Sequence, residues 1–196
     1  QKTPVVDVVD LPEDEPKQWK LTGKYRAPIL FGTDNVVVAD ERGQRVLILT
    51  QKKDEPVWEY GKEKGEKLSK PQMAHFLPNG HVLITDTGNN RIIEVTQKKE
   101  VVWSYGYQDI KPEMQASYRP QFAVQAKEKS LLITDIGNRR VIQVNRAHQI
   151  VRDYKGKSKF SFKFWNNVIK PEAFLPVAAW ELENGHLLIV DQGNGR

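Results

Sequence analysis

Short runs of branched aliphatic residues recur along the chain, and turn dipeptides stand between them. Val36 to Val38, Val82 to Thr85, Ile92 to Val95 and Val141 to Val144 each have the length of a strand, too short for a helix of several turns. Asn79-Gly80, Gly88-Asn89, Gly137-Asn138 and Asn184-Gly185 punctuate them. Such pairs supply the positive φ and the local hydrogen bonding that tight hairpins need. The pattern predicts antiparallel strands joined by hairpins, with no helical spacing between them.

The pattern also repeats. Leu77 to Gly106 and Ala126 to Lys155 run in step without a gap, so that Asp86 matches Asp135 and Arg91 matches Arg140. An earlier copy, Thr33 to Gly61, carries Asp40, Arg45, Trp58 and Tyr60, and a shorter later copy, Glu183 to Arg196, carries Asp191 and Arg196. In all four, Arg follows Asp by five positions; a proline precedes Asp by fifteen in three (Pro71, Pro120, Pro176) and by twelve in the first (Pro28). Successive aspartates lie 46, 49 and 56 residues apart, a period in the range of propeller blades and too long for leucine-rich, ankyrin or tetratricopeptide units. The expected fold is therefore all-β: one domain, residues 1–196, forming a β-propeller of four-stranded blades with four repeats.

The blades are expected at 24–61, 68–106 and 117–155, with the first half of a further blade at 173–196. Residues 3–23 read as a second half, because Pro4 to Gly23 lines up with Arg45 to Gly61 and Trp19 matches Trp58. One blade would then be completed by strands from the two termini, within a chain or between chains. A sector of a larger propeller is the alternative. An unpaired sheet edge would be adhesive, so an open form is expected to self-associate.

DTGNNR at Asp86 to Arg91, DIGNRR at Asp135 to Arg140 and DQGNGR at Asp191 to Arg196 resemble the NHL repeat, in which a proline-led inner strand is followed by a strand ending in Asp-x-Gly-Asn-x-Arg. DERGQR at Asp40 to Arg45 is a degenerate version. The resemblance covers most of the chain apart from 156–172 and implies a propeller, six blades being usual for NHL proteins. On activity it is almost silent, since propellers host enzymes, RNA binders and structural proteins alike. Some NHL-type lyases use axial histidines with a metal, which leaves that chemistry open.

Because the Asp and Arg recur once per blade, a structural role is expected for Asp40, Arg45, Asp86, Arg91, Asp135, Arg140, Asp191 and Arg196. Asp, Gly and Asn suit a turn that bonds its own backbone and visits positive φ, and Arg would pair with an aspartate of its own or the adjacent blade. Trp58 and Trp103, each followed two residues later by Tyr, read as packing between outer strands.

Two features stand apart from the repeat. In Lys155 to Asn167, Phe160, Phe162 and Phe164 alternate with Ser161 and Lys163, so an extended strand would place three rings on one face. The segment 156–172 either folds over its own propeller or, through Phe160, Phe162, Lys163, Phe164 and Trp165, docks a partner. His75 follows Pro71 by four, where the other copies have Val124 and Trp180. His75 and Trp180 are the candidate ligand-binding residues, placed either on the axial channel or between blades.

Composition narrows the rest. The 196 residues are 39% hydrophobic and contain no cysteine, which removes disulfide and thiolate chemistry. No run reaches the roughly 18 to 20 apolar residues of a spanning helix, so no membrane span is expected. The four histidines (His75, His81, His148, His186) are scattered, and HExxH, GxSxG and phosphate-loop motifs are missing, so no catalytic residue, metal or cofactor is assigned. A formal charge of +5, from mixed acids and bases, admits a polyanion as partner without requiring one. The chain begins at Gln1 rather than Met, and an exported protein, extracellular or at the cell surface, is expected. The function read from all this is a non-enzymatic interaction or assembly scaffold that binds a protein partner or copies of itself. An axial-site metal-dependent enzyme and a nucleic-acid-binding propeller are the alternatives.

Overall fold

A computed structural model describes residues 25–26, 35–50, 53–62, 67–155, 163–164, 167–168 and 174–193. Segment 3–23 and residues Phe160, Phe162, Trp165 and Arg196 lie outside them. Three four-stranded antiparallel sheets follow one another in the chain. The first holds β1 (Tyr25–Arg26), β2 (Asn35–Asp40), β3 (Arg45–Thr50) and β4 (Trp58–Tyr60). The second holds β5 (Pro71–Phe76), β6 (Val82–Asp86), β7 (Arg91–Val95) and β8 (Val101–Gly106). The third holds β9 (Pro120–Gln125), β10 (Leu131–Asp135), β11 (Arg140–Val144) and β12 (Ile150–Lys155). A small hairpin pairs β13 (Lys163–Phe164) with β14 (Asn167–Val168). A fourth sheet pairs β15 (Pro176–Glu181) with β16 (Leu187–Asp191).

Every sheet is a meander whose strands pair in chain order, as short hairpin loops require. The central strands are buried on both faces: β6 and β10 are buried throughout. Each face packs a different neighbour. Val37, Ala39, Val46 and Ile48 of the first sheet meet Val82, Ile84, Ile93 and Val95 of the second. Leu83 and Ile92 on the other face of the second sheet meet Leu131, Ile133, Ile142 and Val144 of the third. Leu132 and Val141 then meet Ala179, Leu187 and Ile189 of the fourth. Each buried aliphatic side chain contributes roughly 1.5–3 kcal/mol, so the core is a row of sandwiched layers.

Proline leads β5, β9 and β15 because the first residue of a strand can do without a ladder donor. The register explains the odd spacing of the first copy. Pro71, Pro120 and Pro176 lie opposite Asp86, Asp135 and Asp191, but the residue opposite Asp40 is Tyr25, not Pro28. Tyr25 stands fifteen positions before Asp40, so the fifteen-residue spacing holds in all four copies and the proline does not.

The turn after each of the first three aspartates departs from expectation. The positive φ falls four residues after Asp, at Gln44, Asn90 and Arg139 (φ 51, 51 and 54°), not at Gly88 or Gly137. Those glycines are required by close approach. A Cβ on Gly88 would lie 2.6 Å from the Ser69 carbonyl oxygen, and one on Gly137 would overlap the carbonyl oxygen of Ser117. The incoming loop crosses the hairpin there, and the Gly88 N–H donates to Ser69 O at 2.7 Å.

Candidate functional site

The repeated aspartates are wholly or almost wholly buried, and the hairpin donors around them satisfy their charge. Asp86 Oδ1 accepts from Ser69 N (2.7 Å), while Oδ2 accepts from Asn89 Nδ2 (2.7 Å) and Arg91 Nε (2.8 Å). Asp135 takes Arg119 N (3.1 Å), Asn138 Nδ2 (2.7 Å) and Arg140 Nε (3.0 Å). Asp40 takes Gly43 N (2.8 Å) and Arg45 Nε (2.9 Å). Asp191 takes Leu175 N (3.0 Å) and Gly193 N (3.1 Å); Arg196 lies outside the described residues. Three of these carboxylates bind the residue just ahead of an inner strand to the hairpin behind it, so the motif is a joint of the fold. Arg45 and Arg140 reach on to acids of the outermost strand, Glu59 and Asp153.

His75 and Trp180 occupy equivalent places: His75 pairs with Leu83, Val124 with Leu132 and Trp180 with Leu188. Cross-strand partners share a face, so His75 looks towards the third sheet, between the layers. It is buried, Nε2 meets no hydrogen-bonding atom of the protein, and burial lowers its pKa to about 4. The imidazole is neutral at pH 7. Trp180 is exposed and packs edge-on against Phe122, ring centroids 5.1 Å apart. The two candidates share no hydrogen bond or ring contact among the described residues, and no group of three metal-ligating side chains assembles there.

The sequence reading missed a polar centre between the second and third sheets. Glu94 sits within the apolar run RIIEV and faces the third sheet. Its carboxylate accepts from Asn79 Nδ2 (3.0 Å), from His81 Nδ1 (2.7 Å) and from Nη1 of Arg146, in the loop between β11 and β12. Burial opposes the charge, yet these three hydrogen bonds hold the carboxyl below its ordinary pKa. Arg146 also lies over the Trp103 ring, and the Trp103 indole donates to the Arg146 carbonyl (3.1 Å). Trp58 does the same one sheet earlier, donating to Gln97 O (3.1 Å). The legible signal was an acid where the first copy has Ile48 and the third Gln143.

The architecture matches solved structures over most of the chain. Virginiamycin B lyase from Staphylococcus aureus superposes with a TM-score of 0.56 at 18% identity, over 80% of this chain and 45% of its own. Hydrazine synthase from Kuenenia stuttgartiensis gives 0.58 at 10% identity, over 96% and 51%. A Bacteroides caccae protein of unknown function gives 0.53 at 17% identity, over 81% and 49%. The fold is a β-propeller. The chain spans about half the length of these three proteins. No family model and no curated protein sequence matches it.

Seen as a propeller, the fourth blade is the exceptional one. In blades two and three, Leu83, Thr85, Leu132 and Thr134 are buried by the next blade. Their counterparts Leu188 and Val190 are exposed, as is Trp180 beside Leu188. Beyond β16 no further strand pairs among the described residues. Among the described residues, the result is an apolar sheet face beside a strand edge that no other strand covers. Of the candidate docking residues in 156–172, the described ones are Lys163 and Phe164, by their backbone in β13.

Proposed function

We propose that this propeller is an interaction scaffold of the NHL-like kind whose fourth blade is completed by another polypeptide strand, in self-assembly a strand from a second copy. The observation that carries the reading is the exposed face of Trp180, Leu188 and Val190 beside the edge of β16, which pairs with no further strand among the described residues. Apolar side chains in register next to unpaired N–H and C=O groups favour β-augmentation, in which main-chain bonds give affinity and side-chain contacts give selectivity. The recurrence of the Asp-Gly-Asn-Arg joints supports the NHL-like assignment, since each serves the frame of its own blade.

Native mass measured by light scattering over a hundredfold concentration range tests the assembly. Growth of mass with concentration, abolished by Leu188→Lys, is the expected result. A strict monomer at every concentration removes self-assembly. Stoichiometric zinc or calcium in the purified protein would instead favour the enzymatic alternative, and His75 would then be the first residue to substitute.

A further inference from the structure

The Asp-Arg joint of the third blade differs from the others in its surroundings. Arg140 is 2% exposed, against 23% for Arg45 and 26% for Arg91. The loop 107–119 leading into this blade packs Ile110, Met114 and Tyr118 into the layer between blades two and three. It is pinned there at both ends of its cover. Asp109 accepts from Gly106 N (2.8 Å) and binds His148 Nδ1 of the third blade (2.7 Å), while Asn138 Nδ2 donates to Met114 O (3.1 Å). The loop thus turns a half-exposed ion pair into an enclosed polar centre.

Three polar groups in this centre are buried without a hydrogen-bonding atom of the protein: Arg140 Nη2 and the hydroxyls of Tyr105 and Tyr118. The two tyrosine rings meet edge-on, 6.4 Å between centroids. Arg140, Asp109 and Asp135 act electrostatically on both. Blade three directs Arg140 towards blade two, and Tyr105, opposite Ile92, is directed back. A buried guanidinium N–H and two phenols left unsatisfied would each be costly.

We infer that an internal water molecule is bound between blades two and three, accepting from Arg140 Nη2 and bonded to the hydroxyls of Tyr105 and Tyr118. The chemistry selects water among small species. Nη2 only donates, so the bound molecule must accept, which rules out a cation at that atom; phenols both donate and accept, so the molecule is best able to do both. Asp135 and Asp153 already balance Arg140 at 3.0 and 3.2 Å, with Asp109 close by. An anion would add uncompensated negative charge to a buried site. A water with three protein partners has the coordination usual for interior waters. It joins residues of both blades and makes them one rigid unit.

The sign of a substitution tests this. Tyr118→Phe deletes one hydroxyl and nothing else. If the hydroxyl binds the water, the unfolding midpoint falls by about 2–4 °C. If it is an orphan, removing it leaves the midpoint unchanged or raises it, which overturns the inference. A crystal structure at a resolution that shows ordered water, with a parallel bromide soak, supplies the second readout. Density within hydrogen-bond distance of Arg140 Nη2 and a tyrosine hydroxyl, with no bromide signal, is expected. A protein acceptor on Nη2, or bromide at the site, overturns it.

Discussion

A single buried imidazole gives this protein a pH response near neutrality. His75 titrates at about 4 in the folded chain because burial disfavours its charge, against an ordinary 6.5. The folded state therefore binds fewer protons than the unfolded state below pH 6.5, so the contribution of His75 is fully present above that value and is lost as pH falls towards 4. Between pH 7 and 5 the loss is about 2 kcal/mol. Denaturant unfolding across that window, compared with His75→Leu, checks it: the variant should flatten the slope. An unaltered slope would mean that the ring is not desolvated. The special position of His75 was legible from its spacing after Pro71. Which face of the sheet it lies on was not, because spacing gives equivalence between blades but only the register tells which neighbour the residue meets. Glu94 was passed over for a related reason: its partners His81 and Arg146 come from different blades, and no local motif joins them.

At the scale of elements, the hairpins and their period were written plainly in the chain, and the physical reason for one recurring residue was not. Glycine after the aspartate reads as a turn residue, yet at Gly137 the constraint is the backbone of Ser117 crossing against it. A turn glycine and a crossing glycine differ in how a methyl group is received. Gly80 has φ +81° and nothing within 4 Å of an added Cβ, so Gly80→Ala costs only the left-handed strain of about 1 kcal/mol. Gly137→Ala must displace main chain, parting the Asp135 joint from Arg119, and should cost more than about 3 kcal/mol. Equilibrium unfolding of the two variants decides the order; equal costs would refute the crossing account. The twelve-residue spacing of Pro28 hid the regular one, because a proline is conspicuous to the eye whereas the strand needs only a residue that can start the ladder opposite Asp40, and Tyr25 does so.

Across the whole molecule the blades should differ in local stability, because burial is uneven along the row. β10 and β11 lie under neighbours on both faces and are buried throughout. β12, the outermost strand of blade three, is exposed along most of its length, and β16 alternates between half-buried and exposed residues up to Asp191. Backbone hydrogen bonds open more readily where few apolar contacts must be broken with them. Native-state hydrogen exchange is therefore expected to be slowest in β6, β10 and β11 and faster by orders of magnitude in β16, whose alternate amides point away from β15. The same experiment separates the ways in which the fourth blade can be completed. Protection of β16 that is already strong in dilute, monomeric protein would mean that a strand of the same chain covers its edge. Protection that rises with protein concentration would mean that a second copy supplies the strand, in step with the mass measured by scattering. Fast exchange at every concentration, suppressed only when another protein is added, would assign the edge to a different partner. Each outcome is read from the same few amides, and β10 serves as the internal reference because its hydrogen bonds are already enclosed within blade three.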